Sequence, residues 1–80
     1  MKLQGIKDLV PFLNHLRNHK LHFFLQQMRN DSVMLTITVA GRRIELDFFG
    51  DHIEYSVFNG TEVAHDDQDA LFAMLSEHDS

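Results

Sequence analysis

The chain has 80 residues, 44% of them hydrophobic and 24% charged, with a net charge of −5, a balance that suits one folded domain and argues against disorder. Cysteine and tryptophan are both absent, so disulfides, thiolate zinc sites and cysteine nucleophiles are excluded and the core falls to Phe, Leu, Ile, Val and Met. An acidic domain repels nucleic acid and anionic lipid and favours cationic surfaces as partners.

The charge is unevenly spread. Residues 1–30 carry Lys2, Lys7, Arg17, Lys20 and Arg29 against Asp8, a net +4, while residues 31–80 carry two bases against eleven acids, a net −9. Met1 to Gly5 lacks the apolar core of a signal peptide, and no run approaches the roughly 18 apolar residues of a membrane span. The expected location is the cytoplasm.

Ile6, Leu9, Phe12, Leu13 and Leu16 recur at helical spacing. Pro11 fits a first turn and Asp8 can cap it, which predicts a helix over about 8–19 with Gly5 in a loop ahead of it. Period two then takes over. Leu21, Phe23 and Leu25 alternate with His22, Phe24 and Gln26. After the turn composition of Arg29-Asn30-Asp31, Val33, Leu35, Ile37 and Val39 alternate with Met34, Thr36 and Thr38. Gly41 marks a turn before Ile44, Leu46 and Phe48, and Gly50-Asp51 a turn before Ile53, Tyr55 and Val57. Asn59-Gly60 signals another turn, Thr61 to Ala64 is a candidate short fifth strand, and Asp66 or Asp67 caps a last helix over about 67–77 with Leu71, Met74 and Leu75 on its apolar face and Phe72 alongside. These elements predict a two-layer α+β domain, an antiparallel four-stranded meander with an N-terminal and a C-terminal helix on one face.

Keeping apolar side chains on one face restricts each hairpin. A three-residue loop at 29–31 pairs Leu25 with Leu35. Two-residue turns at Ala40-Gly41 and Gly50-Asp51 pair Leu35 with Leu46 and Leu46 with Tyr55. The opposite face then carries four rows: Met28, Ser32, Phe49, His52; Gln26, Met34, Asp47, Glu54; Phe24, Thr36, Glu45, Ser56; and His22, Thr38, Arg43, Phe58.

This registration sets Asp47 directly against Glu54, with Glu45 two residues away. Like charges opposed on paired strands are destabilising, and such a local conflict marks a candidate functional site. The site so predicted is an acidic patch of Glu45, Asp47 and Glu54, rimmed by Phe49, Met34 and Phe58, that receives a basic protein partner. The competing reading is that these carboxylates simply keep an uncovered sheet face wet and monomeric.

Other constellations are weaker. His15 and His19 share a helix face near His22, but their neighbours supply no anionic ligand, so polar-face histidines are expected. His52 beside Asp47 and Glu54 is a better cluster for a cation, still without a ligand set that demands one. No cofactor is expected. A flat sheet face does not enclose a carboxylate pair so as to divide acid and base roles, Ser32, Ser56 and Ser76 lack nucleophile contexts, and the single glycines form no phosphate loop. No enzyme is expected. Phe48-Phe49 beside Arg42-Arg43 resembles a nucleic-acid platform only until the surrounding carboxylates are counted.

Within residues 12–54, Phe12-Leu13-x-x-Leu16-Arg17, Phe23-x-Leu25, Arg29-x-Asp31-Ser32-Val33-Met34, Val39-x-Gly41-x-Arg43-x-Glu45 and Phe48-Phe49-x-Asp51 resemble a group of short, acidic bacterial proteins, some of them of the immunity type encoded beside toxins. The resemblance covers about half the chain and rests on strand and turn residues. It implies a protein that neutralises a cognate toxin by covering a basic active site. The alternatives are a structural homodimer, pairing through the mixed sheet face or the exposed edge of the first strand, and a metal-binding accessory protein using His52 and its acidic neighbours.

Overall fold

A computed structural model describes residues 2–58, 62–65 and 67–76. The apolar stripe of the N-terminal third forms a 3-10 turn at Ile6–Asp8 that runs into helix α1, Leu9–Asn18. Pro11 lies within the first turn of α1, where its missing N–H is not needed. Asp8 does not cap the helix as the sequence suggests. Its carboxylate instead accepts a hydrogen bond from the Gln4 backbone N–H at 2.7 Å. Helix α2, Gln68–Ser76, does begin at an acid: Asp67 Oδ1 accepts from the N–H groups of Asp69 and Ala70, at 3.0 and 3.4 Å.

Between the helices lies a meander of β1 (His22–Arg29), β2 (Ser32–Val39), β3 (Arg42–Phe49), β4 (Ile53–Phe58) and β5 (Glu62–His65), antiparallel throughout and ordered β1-β2-β3-β4-β5. Upstream of the first turn and through the next two hairpins, the alternating apolar residues meet one another across the strands. Leu25 pairs with Leu35, Leu35 with Leu46 and Leu46 with Tyr55. At Ala40-Gly41 both residues have positive φ, 51° and 77°, the conformation a two-residue turn needs to match strand twist. The fifth strand is present, one residue later than Thr61–Ala64. The Asn59-Gly60 turn, Asp66 and the end of the last helix beyond Ser76 lie outside the described residues.

The β1–β2 connection departs from expectation. Arg29 pairs with Ser32 around a two-residue Asn30-Asp31 turn, and a bulge between Gln26 and Arg29 absorbs the extra residue. Met28 is therefore not opposite Ser32. A three-residue loop and a two-residue loop with a bulge satisfy the same apolar pattern upstream, so periodicity does not separate them.

Both helices cover one sheet face. Phe12 and Leu16 of α1, Leu71 and Leu75 of α2, and Leu35, Ile37, Ile44, Leu46, Phe48 and Tyr55 of the sheet form one buried cluster. Phe12 joins the layers, its ring 6.0 Å from Phe48 and 5.9 Å from Phe72. Leu3, which lies outside every predicted element, is buried in this cluster too. Its N–H donates to the Gln68 side-chain oxygen at 2.8 Å, and the Gln68 amide donates back to the Leu3 carbonyl at 2.6 Å. The helices do not reach the whole sheet: Leu25 remains 44% exposed although its partner Leu35 is fully buried. Among the described residues no helix is long and apolar enough to cross a membrane.

Candidate functional site

The helix-free face presents three of the four rows expected of it, the row of Met28 and Ser32 being broken by the bulge. Gln26, Met34, Asp47 and Glu54 lie across β1 to β4 in mutual register, and Phe24, Thr36, Glu45 and Ser56 form the next row. Asp47 and Glu54 are thus directly opposed, and Glu45 is two residues from Asp47 on the same strand.

The three carboxylates differ in their surroundings. Glu45 is the more sheltered partner of Arg43, whose Nε lies 3.4 Å away, and the Arg43 guanidinium covers the Phe58 ring at 4.5 Å. Glu54 accepts from the His52 ring, with Nε2 at 3.1 Å. Asp47 makes no ion pair with a described cation. Burial raises its pKa above the ordinary carboxylate value, the Glu54 charge raises it further, and Arg29 partly opposes both. Asp47 is therefore where the face is electrostatically unsatisfied.

The predicted rim is only partly a rim. Met34 and Phe58 are half-buried. Phe49 is 9% exposed. The His52 ring stacks on it with centroids 4.5 Å apart and planes 3° from parallel, and the Arg29 guanidinium lies 5.5 Å from its centroid. Among the described residues the most exposed apolar side chains of the sheet are instead Phe24, Leu25 and Met28. All three belong to β1, outside the predicted patch. A strand's position at the edge of a sheet leaves no mark in its own alternation, which is why the pattern did not single them out.

His52 is held from both sides. Nδ1 lies 2.8 Å from the Asp51 carboxylate and Nε2 faces Glu54, so both ring nitrogens act as donors in the charged form. The Asp51 hydrogen bond, and after it the Glu54 one, raises the His52 pKa above 6.5. The same contact lowers that of Asp51. The stabilisation from His52 is therefore complete below its unfolded value and is lost as pH rises through the raised folded value. That from Asp51 is present above its unfolded value and is lost as pH falls through the lowered one. The His52 ring resonances are expected to titrate with a midpoint above 6.5, and the melting-temperature gap between the native chain and His52→Gln should narrow as pH rises through that midpoint. An NMR midpoint at or below the ordinary histidine value would refute the double contact.

This arrangement also engages both nitrogens that a metal would need. The helix histidines serve packing: His15 and His19 have ring centroids 4.5 Å apart, and His15 meets Phe12 and Phe72 at 6.1 and 5.8 Å. Among the described residues no group of three His, Cys, Asp or Glu side chains could hold a metal ion. What the face offers chemically is a set of positioned carboxylates able to accept cationic side chains. The chain matches no family model, no curated protein and no solved structure.

Proposed function

We propose that this chain is a small bacterial interaction protein of the cytoplasm, without catalysis of its own, that receives a basic protein on the helix-free face of its sheet in the manner of an immunity-type inhibitor. The observation that carries this reading is the Asp47–Glu54 pair, directly opposed on an uncovered face with Asp47 unneutralised. A lysine or arginine delivered by a partner relieves that repulsion, so the free protein holds interaction energy that only a complex releases. The resemblance of residues 12–54 to short acidic immunity-type proteins supports the role, and the sparse charge of the basic first helix does not compete with it.

The test is Asp47→Asn. Because the folded pKa of Asp47 lies above its unfolded value of about 3.8, its ionisation opposes folding above that folded pKa and ceases to do so below the unfolded one. Asn is therefore expected to raise the melting temperature at neutral pH, with the gain vanishing at acid pH. The same substitution is expected to weaken binding of an oligo-lysine peptide, and of the basic protein encoded by the adjacent gene, several-fold at low salt in calorimetric titrations. A gain in stability with unchanged affinity for both probes would mean that the carboxylates only keep the face solvated.

A further inference from the structure

We propose that β1 is a self-association edge, across which two copies of this chain pair antiparallel about a two-fold axis at Phe24 to form a continuous ten-stranded sheet. This inference does not depend on the basic-partner reading, since it uses the edge of the sheet and not the carboxylate row.

Four observations carry it. First, β1 ends the strand order, so among the described residues no strand pairs with its outer side, and seven of its eight residues are exposed. Natural edge strands are usually guarded by shortness, proline, or lysine. This one is long, lacks both residues, and displays Phe24 at 58% exposure and Leu25 at 44%. Second, the helix layer covers it only in part. Phe23 packs against the core, but Leu25, on the same face, stays 44% exposed, so a second β1 continues a core that one copy leaves unfinished.

Third, the strand is self-complementary in one register. Opposed residues of an antiparallel pair share a face, so helices of both copies stay on one side only if Phe23 and Leu25 meet residues of the same parity. Regular pairing with β2 covers His22 to Gln26, and the bulge begins beyond. The centre of that regular stretch is Phe24. An axis there sets Phe24 against Phe24 of the second copy, Phe23 against Leu25, and His22 against Gln26. Every apolar side chain of the stretch then meets another apolar one.

Fourth, the charges permit it. β1 and β2 contain no acid, and Arg29, the one formal cation on them, is paired with Asp31 at 3.4 Å. In the proposed dimer the Glu45 and Asp47 carboxylates on the two β3 strands stand five strand spacings apart, on the order of 24 Å at ~4.8 Å per spacing. That exceeds the ~8 Å screening length of physiological salt. Two chains of net charge −5 can therefore associate here with little repulsion. Pairing through the carboxylate row would set like charges together. The regular stretch that pairs, His22 to Gln26, makes a small interface, so affinity in the micromolar range is expected.

Sedimentation equilibrium of the native chain over a range of concentrations is expected to show a rise from one to two copies that high salt does not reverse. Phe24→Cys in this cysteine-free chain should oxidise to a covalent dimer much faster than Thr38→Cys, which is exposed on the neighbouring strand. Phe24→Glu, which sets two carboxylates against each other across the axis, should weaken association at least about tenfold, and Leu25→Lys likewise, while Asp47→Asn leaves it unchanged. A monomer at every concentration, or equal oxidation at positions 24 and 38, overturns the proposal.

Discussion

Phe48→Ala should remove roughly half of the stability of this protein. Phe48 is fully buried on the helix side of β3, and its ring meets Phe12 of α1. Truncation of a buried Phe costs about 3–5 kcal/mol, because the lost transfer free energy is joined by a cavity that neighbours fill only in part. Relief by collapse is poor here, since the cross-strand neighbours Val33 and Ile53 are held by strand pairing and Phe12 by its helix. Against a total on the order of 4–12 kcal/mol for a chain of this length, the loss is large. In urea the midpoint should fall steeply at an unchanged slope. Phe24→Ala, the same chemical change on the exposed side of β1, should stay within about 0.5 kcal/mol at concentrations where the chain is monomeric. Similar losses at the two positions would show that the faces have been assigned wrongly.

Gly5→Ala should release the N-terminal segment from the sheet. Gly5 has φ 152° and ψ −162°, a region that side chains disfavour. A Cβ there would lie 2.8 Å from the Gly50 carbonyl oxygen and 2.9 Å from that of Phe49. Both atoms are backbone of the β3–β4 connection, so neither can rotate away. The segment must therefore lift, withdrawing Leu3 from the core and breaking its reciprocal amide contact with Gln68. Strain together with lost burial amounts to about 2–4 kcal/mol. Hydrogen exchange should show the Leu3 amide losing protection while the β2 and β3 amides keep theirs. Gly41→Ala is the matching control: φ is 77° but nothing lies within 4 Å of the added carbon, so only the local conformational cost of about 1 kcal/mol is expected. Equal effects at Gly5 and Gly41 would mean that contact with the β3–β4 turn is not what selects glycine at position 5.

The acidic row was legible because a side-chain period of two leaves no intermediate register. Once Leu35 and Leu46 must both reach the helices, Asp47 and Glu54 are carried to the other face together. The partners of those carboxylates were not legible. The His52 contacts with Asp51 and Glu54 depend on how the β3–β4 turn aims a ring, and the covering of Phe49 by that ring and by Arg29 depends on where the β1 bulge ends. Local alternation contains neither piece of information, and both alter the candidate site. They turn Phe49 from a rim residue into a buried platform and leave Asp47 without an ion pair to a described cation.

Apolar alternation alone settled the order of the predicted helices and strands, the face each residue of β2, β3 and β4 takes and the pairings among those strands, because burying an apolar face penalises every one-residue slip along a whole strand. It took the packed layers to place Leu3 and Gly5 in the core and its lining, to put a bulge in the first hairpin and to leave Leu25 of β1 uncovered. Those outcomes depend on how far two short helices extend over a twisted sheet, a property of the assembled layers that no stretch of residues carries alone.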